Sequence, residues 1–201
     1  SKVNIYIMSS FIKLRGKGVS RIINSKVMLS PLAGVFASKI KFCVQGIVWI
    51  DLEFTSIDDP DIMEFAVIIT DKYLVEIERA NWVIHHSDAV CASLSDWHQR
   101  QFRRVEEGGN GLFTDVKKSQ LTRAQVEAKA LELIKRHCPE RQCPIGGSSP
   151  HCDRDAMKKT MPHIYKYLSH RLVDVTSLHE LCQRWSPGAL KELKKNFCDR
   201  R

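Results

Sequence analysis

The chain has 201 residues, 43% of them hydrophobic and 27% charged. That composition suits one globular domain plus an extension. No apolar run approaches the roughly 18–20 residues that a membrane-spanning helix needs, so no membrane partner is expected. The net charge of +8 is unevenly placed. Residues 1–47 carry eight Lys and Arg and no Asp or Glu, while residues 48–201 carry 23 residues of each sign. The basic excess therefore describes the N-terminal segment and does not by itself mark the rest as a nucleic-acid surface. Seven Cys, an odd number with no C-x-x-C spacing, argue against a disulfide framework or a structural zinc site. They are expected as reduced, partly buried thiols.

Residues 1–46 form a basic, Ser-containing, acid-poor extension, the composition of a mitochondrial transit segment; a basic tail is the alternative. The domain proper is expected over residues 47–201. Ile47 to Glu53 is apolar and β-rich and reads as a buried central strand. Asp58–Asp61 is a turn around Pro60. Ile62–Thr70 reads as the next strand, Asp71 and Lys72 as its turn, and Val75–His85 as a third strand. Gly108–Gly111 is a loop. Thr122 with Gln125 reads as a capping box opening a helix to His137, with Val126, Ala130, Leu133 and Ile134 at helical spacing. Gln142–Ser149 is a short strand entering a Gly-Ser turn, and Asp153 onward is a helix ending near Met161 and Pro162. His170–Val175 is a further strand, and Thr176 is read as the cap of a helix reaching Trp185. Strands followed by alternating helices and strands predict an α/β domain, a mixed sheet with an antiparallel start and helices packed on it.

Two carboxylates, Asp51 and Glu53, stand two apart at the end of the first strand and so share a face. Burying such a pair is costly unless a cation lies between them. Hard divalent ions prefer carboxylate oxygen. Alone, this D-x-E is a weak signal. By residue type alone, Asp153 reads as a helix cap and Trp97 as core. Asp174 reads as structural, and Glu180 with Arg184 as a helix-surface pair. His85, His86 and His151 read as surface or loop residues, since no H-x-x-x-H or H-E-x-x-H spacing is present.

The order of several segments adds a resemblance. Ile50-Asp51-Leu52-Glu53-Phe54-Thr55 resembles the first motif of DnaQ-like, or DEDDh, exonucleases. Thr70-Asp71 and Leu94-Ser95-Asp96-Trp97 point to one branch. The stretch from Cys143 through Gly146, Gly147, Ser148 and Ser149 to Asp153-Arg154 resembles the second motif. Tyr167 to Trp185 is similar to the long strand–helix block of oligoribonucleases. Together these span about residues 47–187.

The resemblance implies a ribonuclease H-like fold and a 3′→5′ exoribonuclease that degrades very short single-stranded RNA. It implies a homodimer and two-metal hydrolysis with Mg²⁺ or Mn²⁺. Asp51, Glu53 and Asp153 would be the catalytic, metal-holding carboxylates. Leu52, Phe54 and Trp97 would lie against the terminal bases. Ser148 and Ser149 would lie near the 5′ phosphate. His170 stands where the family has a Tyr that reaches the neighbouring protomer's site. Mitochondrial or cytoplasmic residence follows from the same likeness and the N-terminal composition.

The resemblance also implies a last helix carrying a His and, five residues on, an Asp. That His falls at Asp199 or Arg200, and the chain ends at Arg201. The domain is therefore expected to lack its last helix and its general base, whose loss costs typically ~10²–10⁴-fold. Ser148 replaces the family's Asn, and Phe54-Thr55-Ser56 replaces Met-Thr-Gly. A catalytically impaired relative that binds short RNA, or pairs with a complete paralogue, is the alternative function.

Overall fold

The computed structural model describes residues 45–188. The basic extension, apart from Gln45 and Gly46, and the positions expected for the final His and Asp lie outside the described residues, as do the last-helix expectation and two of the seven cysteines. The remaining five, Cys91, Cys138, Cys143, Cys152 and Cys182, are free thiols.

Five strands form one sheet: β1 (Ile47–Phe54), β2 (Ile62–Thr70), β3 (Glu76–Val83), β4 (Ile145–Gly147) and β5 (Leu172–Asp174). Their order is β3-β2-β1-β4-β5. β1 pairs antiparallel with β2 from Ile47↔Thr70 to Glu53↔Glu64, and β2 pairs antiparallel with β3. β4 pairs parallel with β1, and β5 parallel with β4. The antiparallel start and mixed sheet are as the sequence predicts. β2 is buried along its whole length, which explains its nearly unbroken apolar run.

Among the described residues the helices are α1 (Asp88–Ser93), α2 (Asp96–Phe102), α3 (Leu112–Lys118), α4 (Arg123–His137), α5 (Pro150–Thr160), α6 (Pro162–Tyr167) and α7 (Val175–Trp185), with helical backbone again at 187–188. The main core lies on one face of the sheet. Val48, Ile50 and Leu52 of β1 and Phe65, Val67 and Ile69 of β2 meet Val126, Ala130, Leu133 and Ile134 of α4, Met157 of α5 and Ile164 of α6. Each such fully buried side chain contributes roughly 1.5–3 kcal/mol. On the opposite face Trp49 and Ile68 pack with Val173 and with Val175, the first residue of α7. The Trp49 indole N–H donates to Thr70 Oγ1 (3.0 Å), satisfying both buried groups.

α4 begins at the predicted capping box. Gln125 N–H donates to Thr122 Oγ1 (3.3 Å) and Thr122 N–H to Gln125 Oε1 (2.9 Å). α7 is capped by Asp174, not Thr176: the Asp174 carboxylate, a stronger acceptor than a hydroxyl, takes the Thr176 N–H (2.9 Å) and the Ser177 hydroxyl (2.7 Å). α5 starts at Pro150, which presets φ for the first turn, after Ser149 in the left-handed region (φ 55°). The third strand is shorter than predicted at both ends. The loop expected at Gly108–Gly111 is present, and the rest of the segment between β3 and α4, which gave no signal in the sequence, holds three short helices. They are fixed by burial of Cys91, Phe102, Leu112 and Val116 against Met63.

Candidate active site

The three parallel strands end at one edge of the sheet, and every candidate carboxylate is found there. β4 stops at Gly147 while β1 runs on to Phe54. Beyond the end of β4, the Leu52 N–H donates instead to Asp153 Oδ1 (2.9 Å) in the first turn of α5. Asp153 is therefore not a helix cap. Its carboxylate leaves its own helix and holds α5 to β1 between Asp51 and Glu53.

Close approach at the sheet makes this possible. Gly146 lies over Trp49, and a Cβ there would sit 2.6 Å from Trp49 Cε3 and 2.7 Å from Ile47 Cγ2. Only a glycine lets β4 lie this close to β1.

Asp153 is 7% exposed. Burial pushes its carboxyl up to about 7, the Leu52 N–H opposes that shift, and the charges of Asp51 and Glu53 add to it. Asp51 and Glu53 are half-buried neighbours on one face of β1. Glu64 faces Glu53 across the β1–β2 ladder; it is buried and accepts from Asn81 Nδ2 (2.6 Å). Four acidic side chains are thus gathered at this strand end, Asp153 and Glu64 buried and Asp51 and Glu53 half-buried.

That donor set fits a hard divalent cation: the candidate ligands are all carboxylate oxygens, and burial beside two other acids raises one of them, an effect that a bound cation would offset. Among the described residues, no three His, Cys, Asp or Glu side chains already converge as a cage. The carboxylates are electrostatic neighbours and not a preformed ligand sphere.

Trp97 is 51% exposed and so is not core. It meets Phe102 edge-to-face (centroids 5.8 Å). Its neighbour His98 bonds the carbonyl of Phe54, the last residue of β1 (3.3 Å), which brings α2 against the carboxylate-bearing strand end. Leu52 is buried in the core and Phe54 packs partly against it. A cleft of about 670 Å³ opens beside Phe54 and Ile57, walled by His151, Cys152, Asp155 and Lys158.

Ser148 and Ser149 occupy the turn between β4 and α5 at the same edge. Ser148 Oγ lies 2.9 Å from Thr176 Oγ1, and the Ser149 N–H donates to Asp174 Oδ1 (3.0 Å). Asp174 is structural, as read: three donors hold its carboxyl below the usual range against the upward push of partial burial. Glu180 and Arg184 pair on the surface of α7, also as read.

His170 is not brought to the site. It is exposed and precedes β5, whose first residue pairs with the first residue of β4, so it stands at the opposite edge of the sheet. His85 and His151 are exposed, but His86 is buried, with Nε2 3.0 Å from the Ile62 carbonyl and Nδ1 3.7 Å from Asp61; it is a core histidine and not a surface one. His98 was missed in the sequence; a lone His in a short helix gives no periodic signal.

Comparison with known proteins follows the same lines. The RNase_T exonuclease family model matches residues 48–200. An oligoribonuclease of Chromobacterium violaceum is 37% identical over 153 residues, covering 75% of this chain and 82% of that protein. An oligoribonuclease of Pseudomonas savastanoi pv. phaseolicola is 40% identical over 146 residues (71% and 79%). The mitochondrial oligoribonuclease of Bos taurus is 37% identical over 146 residues; this chain covers 60% of its length and 71% of its own. Among solved structures, exonuclease I of E. coli in complex with a dT13 oligonucleotide aligns with a TM-score of 0.51 at 15% identity, over 71% of this chain and 30% of that one. A product-bound exonuclease I gives 0.51 and 15% over 71% and 33%. At that identity the structural likeness shows the ribonuclease H-like fold alone.

Proposed function

We propose, from the premise that this chain belongs to the oligoribonuclease family of DnaQ-like exonucleases and so is a hydrolytic nuclease, that it removes nucleotides one at a time from the 3′ end of very short single-stranded RNA. The single observation that carries this reading is the carboxylate group at the sheet edge: Asp51 and Glu53 on β1 with Asp153 buried between them and pushed up to about 7.

Asp51, Glu53 and Asp153 would hold Mg²⁺ or Mn²⁺. When bound, two such ions supply Lewis acidity and charge neutralisation at the phosphate. The chain's own residues do the rest. Asp153 keeps α5 docked on the Leu52 N–H, which holds its carboxyl beside the strand that carries Asp51 and Glu53. Trp97 and Phe54 give a terminal base an apolar surface to lie on. Ser148 and Ser149, in the turn that leads into α5, would exchange their bonds to Thr176 for a phosphate at the N-terminal end of that helix. The bond between the 3′ oxygen and phosphorus breaks, water oxygen joins phosphorus, and the departing 3′ oxygen takes a proton. The products are a nucleoside 5′-monophosphate and an RNA shorter by one.

Homodimerisation belongs to the same reading, with His170 serving the neighbouring protomer's site. Residence is proposed as mitochondrial or cytoplasmic, in line with the names of the bovine and bacterial relatives. A second reading, binding of short RNA without hydrolysis, is favoured by one observation: Asp199 and Arg200 stand where the family likeness sets its general-base His. Incubating the purified chain with a 5′-labelled RNA dinucleotide and Mn²⁺ separates the two. The first predicts mononucleotide release; the second predicts a bound, intact dinucleotide.

A further inference from the structure

α2 is seven residues long and its N-cap Ser95 makes no side-chain capping bond. A helix this short holds its place by tertiary contacts. The Ser95 hydroxyl is instead 2.7 Å from His98 Nδ1. On the other side of the ring, His98 Nε2 is 3.3 Å from the Phe54 carbonyl. A carbonyl only accepts, so Nε2 carries the hydrogen and donates. In the neutral ring Nδ1 is then the acceptor for the Ser95 O–H. The imidazole is thereby a two-ended strut between the start of α2 and the end of β1.

The same ring is wedged among aromatics. Its centroid is 5.1 Å from the Trp97 ring at 88° and 5.4 Å from the Phe102 ring. Phe102 is in turn 5.6 Å from Phe113, edge-to-face, in the core cluster of α1–α3. Trp97, half in solvent, therefore has its indole set by two rings that are themselves anchored. One of them is fixed to the strand that carries Asp51 and Glu53.

We propose that His98 is a positioning residue for substrate: the Ser95–His98–Phe54 bridge fixes the Trp97 indole at the catalytic strand end, and so sets how tightly the base beside the scissile phosphate is held. This rests on the reading that Trp97 meets a substrate base. His98 touches no reacting atom, so its effect falls on KM and leaves kcat nearly unchanged. An unanchored indole must be ordered at the moment of binding, and that ordering weakens the complex.

The test is a double-mutant cycle on RNA dinucleotide hydrolysis, or on dinucleotide binding in the presence of Ca²⁺ where turnover is too slow to measure. Trp97→Ala is expected to weaken binding about 10-fold, in the range for loss of one base–aromatic stack. His98→Ala is expected to weaken it about 3- to 10-fold, with little further loss when added to Trp97→Ala. His98→Gln, whose amide can reach the Phe54 carbonyl from the Nε2 position, is expected to restore most of the binding; His98→Asn, with its shorter reach, is not. Thermal melting of each variant reports folding independently. Additive losses from the two alanine variants, or a His98→Ala effect on kcat alone, would overturn the positioning role while leaving Trp97 at the base. No loss from Trp97→Ala would overturn the underlying reading instead.

Discussion

Burial between two other acids pushes the Asp153 carboxyl up to about 7, while the Leu52 N–H bond favours the ionised form. The folded chain without metal therefore binds that proton more tightly than the unfolded chain, whose Asp titrates near 3.9. Stability from this group is full below about pH 4 and is lost as pH rises through 7. About three pKa units correspond to up to roughly 4 kcal/mol, an upper bound given relaxation. Asp153→Asn should then raise the melting temperature of the metal-free protein at pH 8 and have little effect at pH 4. The same variant should abolish any stabilisation by Mn²⁺, because the cation does for wild type what the neutral amide does for the variant. A melting temperature that falls equally at both pH values would show that Asp153 is only a strand-to-helix tie. Binding of Mn²⁺ at pH 6 should release a proton, seen as a dependence of binding heat on buffer ionisation enthalpy.

The elements differ in how far they could be read from the sequence. β1 and β2 were legible because burial on both faces gives long apolar runs, and α4 because Thr122 and Gln125 open fifteen residues of clear periodicity. α1, α2, α3 and α6 were not. Each has six or seven residues, too few for a period to show, and they exist because Phe102, Leu112, Val116 and Ile164 find core contacts distant in sequence. In the site, Asp51 and Glu53 were legible from strand geometry. Asp153 pointed to a cap by residue type, and only the family likeness placed it beside them. His98 was not visible at all, since its partners are a backbone carbonyl 44 positions away and the serine three residues before it. Two element-scale variants test this account. Gly146→Ala forces a methyl against Trp49 and Ile47 and should cost about 1–3 kcal/mol in denaturant melts. Asp174→Ala removes the α7 cap and the bond to Ser149, at about 1–2 kcal/mol. Because the folded Asp174 carboxyl is held low, that difference should be present at pH 7 and shrink as pH falls below 4. A pH-independent difference would assign the loss to packing.

At the scale of the whole molecule, the sheet separates two groups of residues. The carboxylates, Ser148 and Ser149 gather at the C-terminal edge of the parallel strands, the usual place for ligands in open α/β sheets. His170 stands at the other edge and cannot serve the site of its own chain. In a symmetric dimer it can serve the partner's. Mixing inactive Asp51→Ala protein with His170→Ala protein should then restore activity to about a quarter of wild type at equal amounts, since half the dimers are mixed and each holds one complete site. Additive, unrestored activities would confine His170 to its own chain's surface.

The most direct test of the central claim is the fate of a 5′-labelled RNA dinucleotide incubated with the purified 201-residue chain and Mn²⁺, with Asp51→Ala beside it. The account predicts release of labelled mononucleotide by the wild type and none by the variant. An intact dinucleotide in both reactions, or equal cleavage in both, would contradict it.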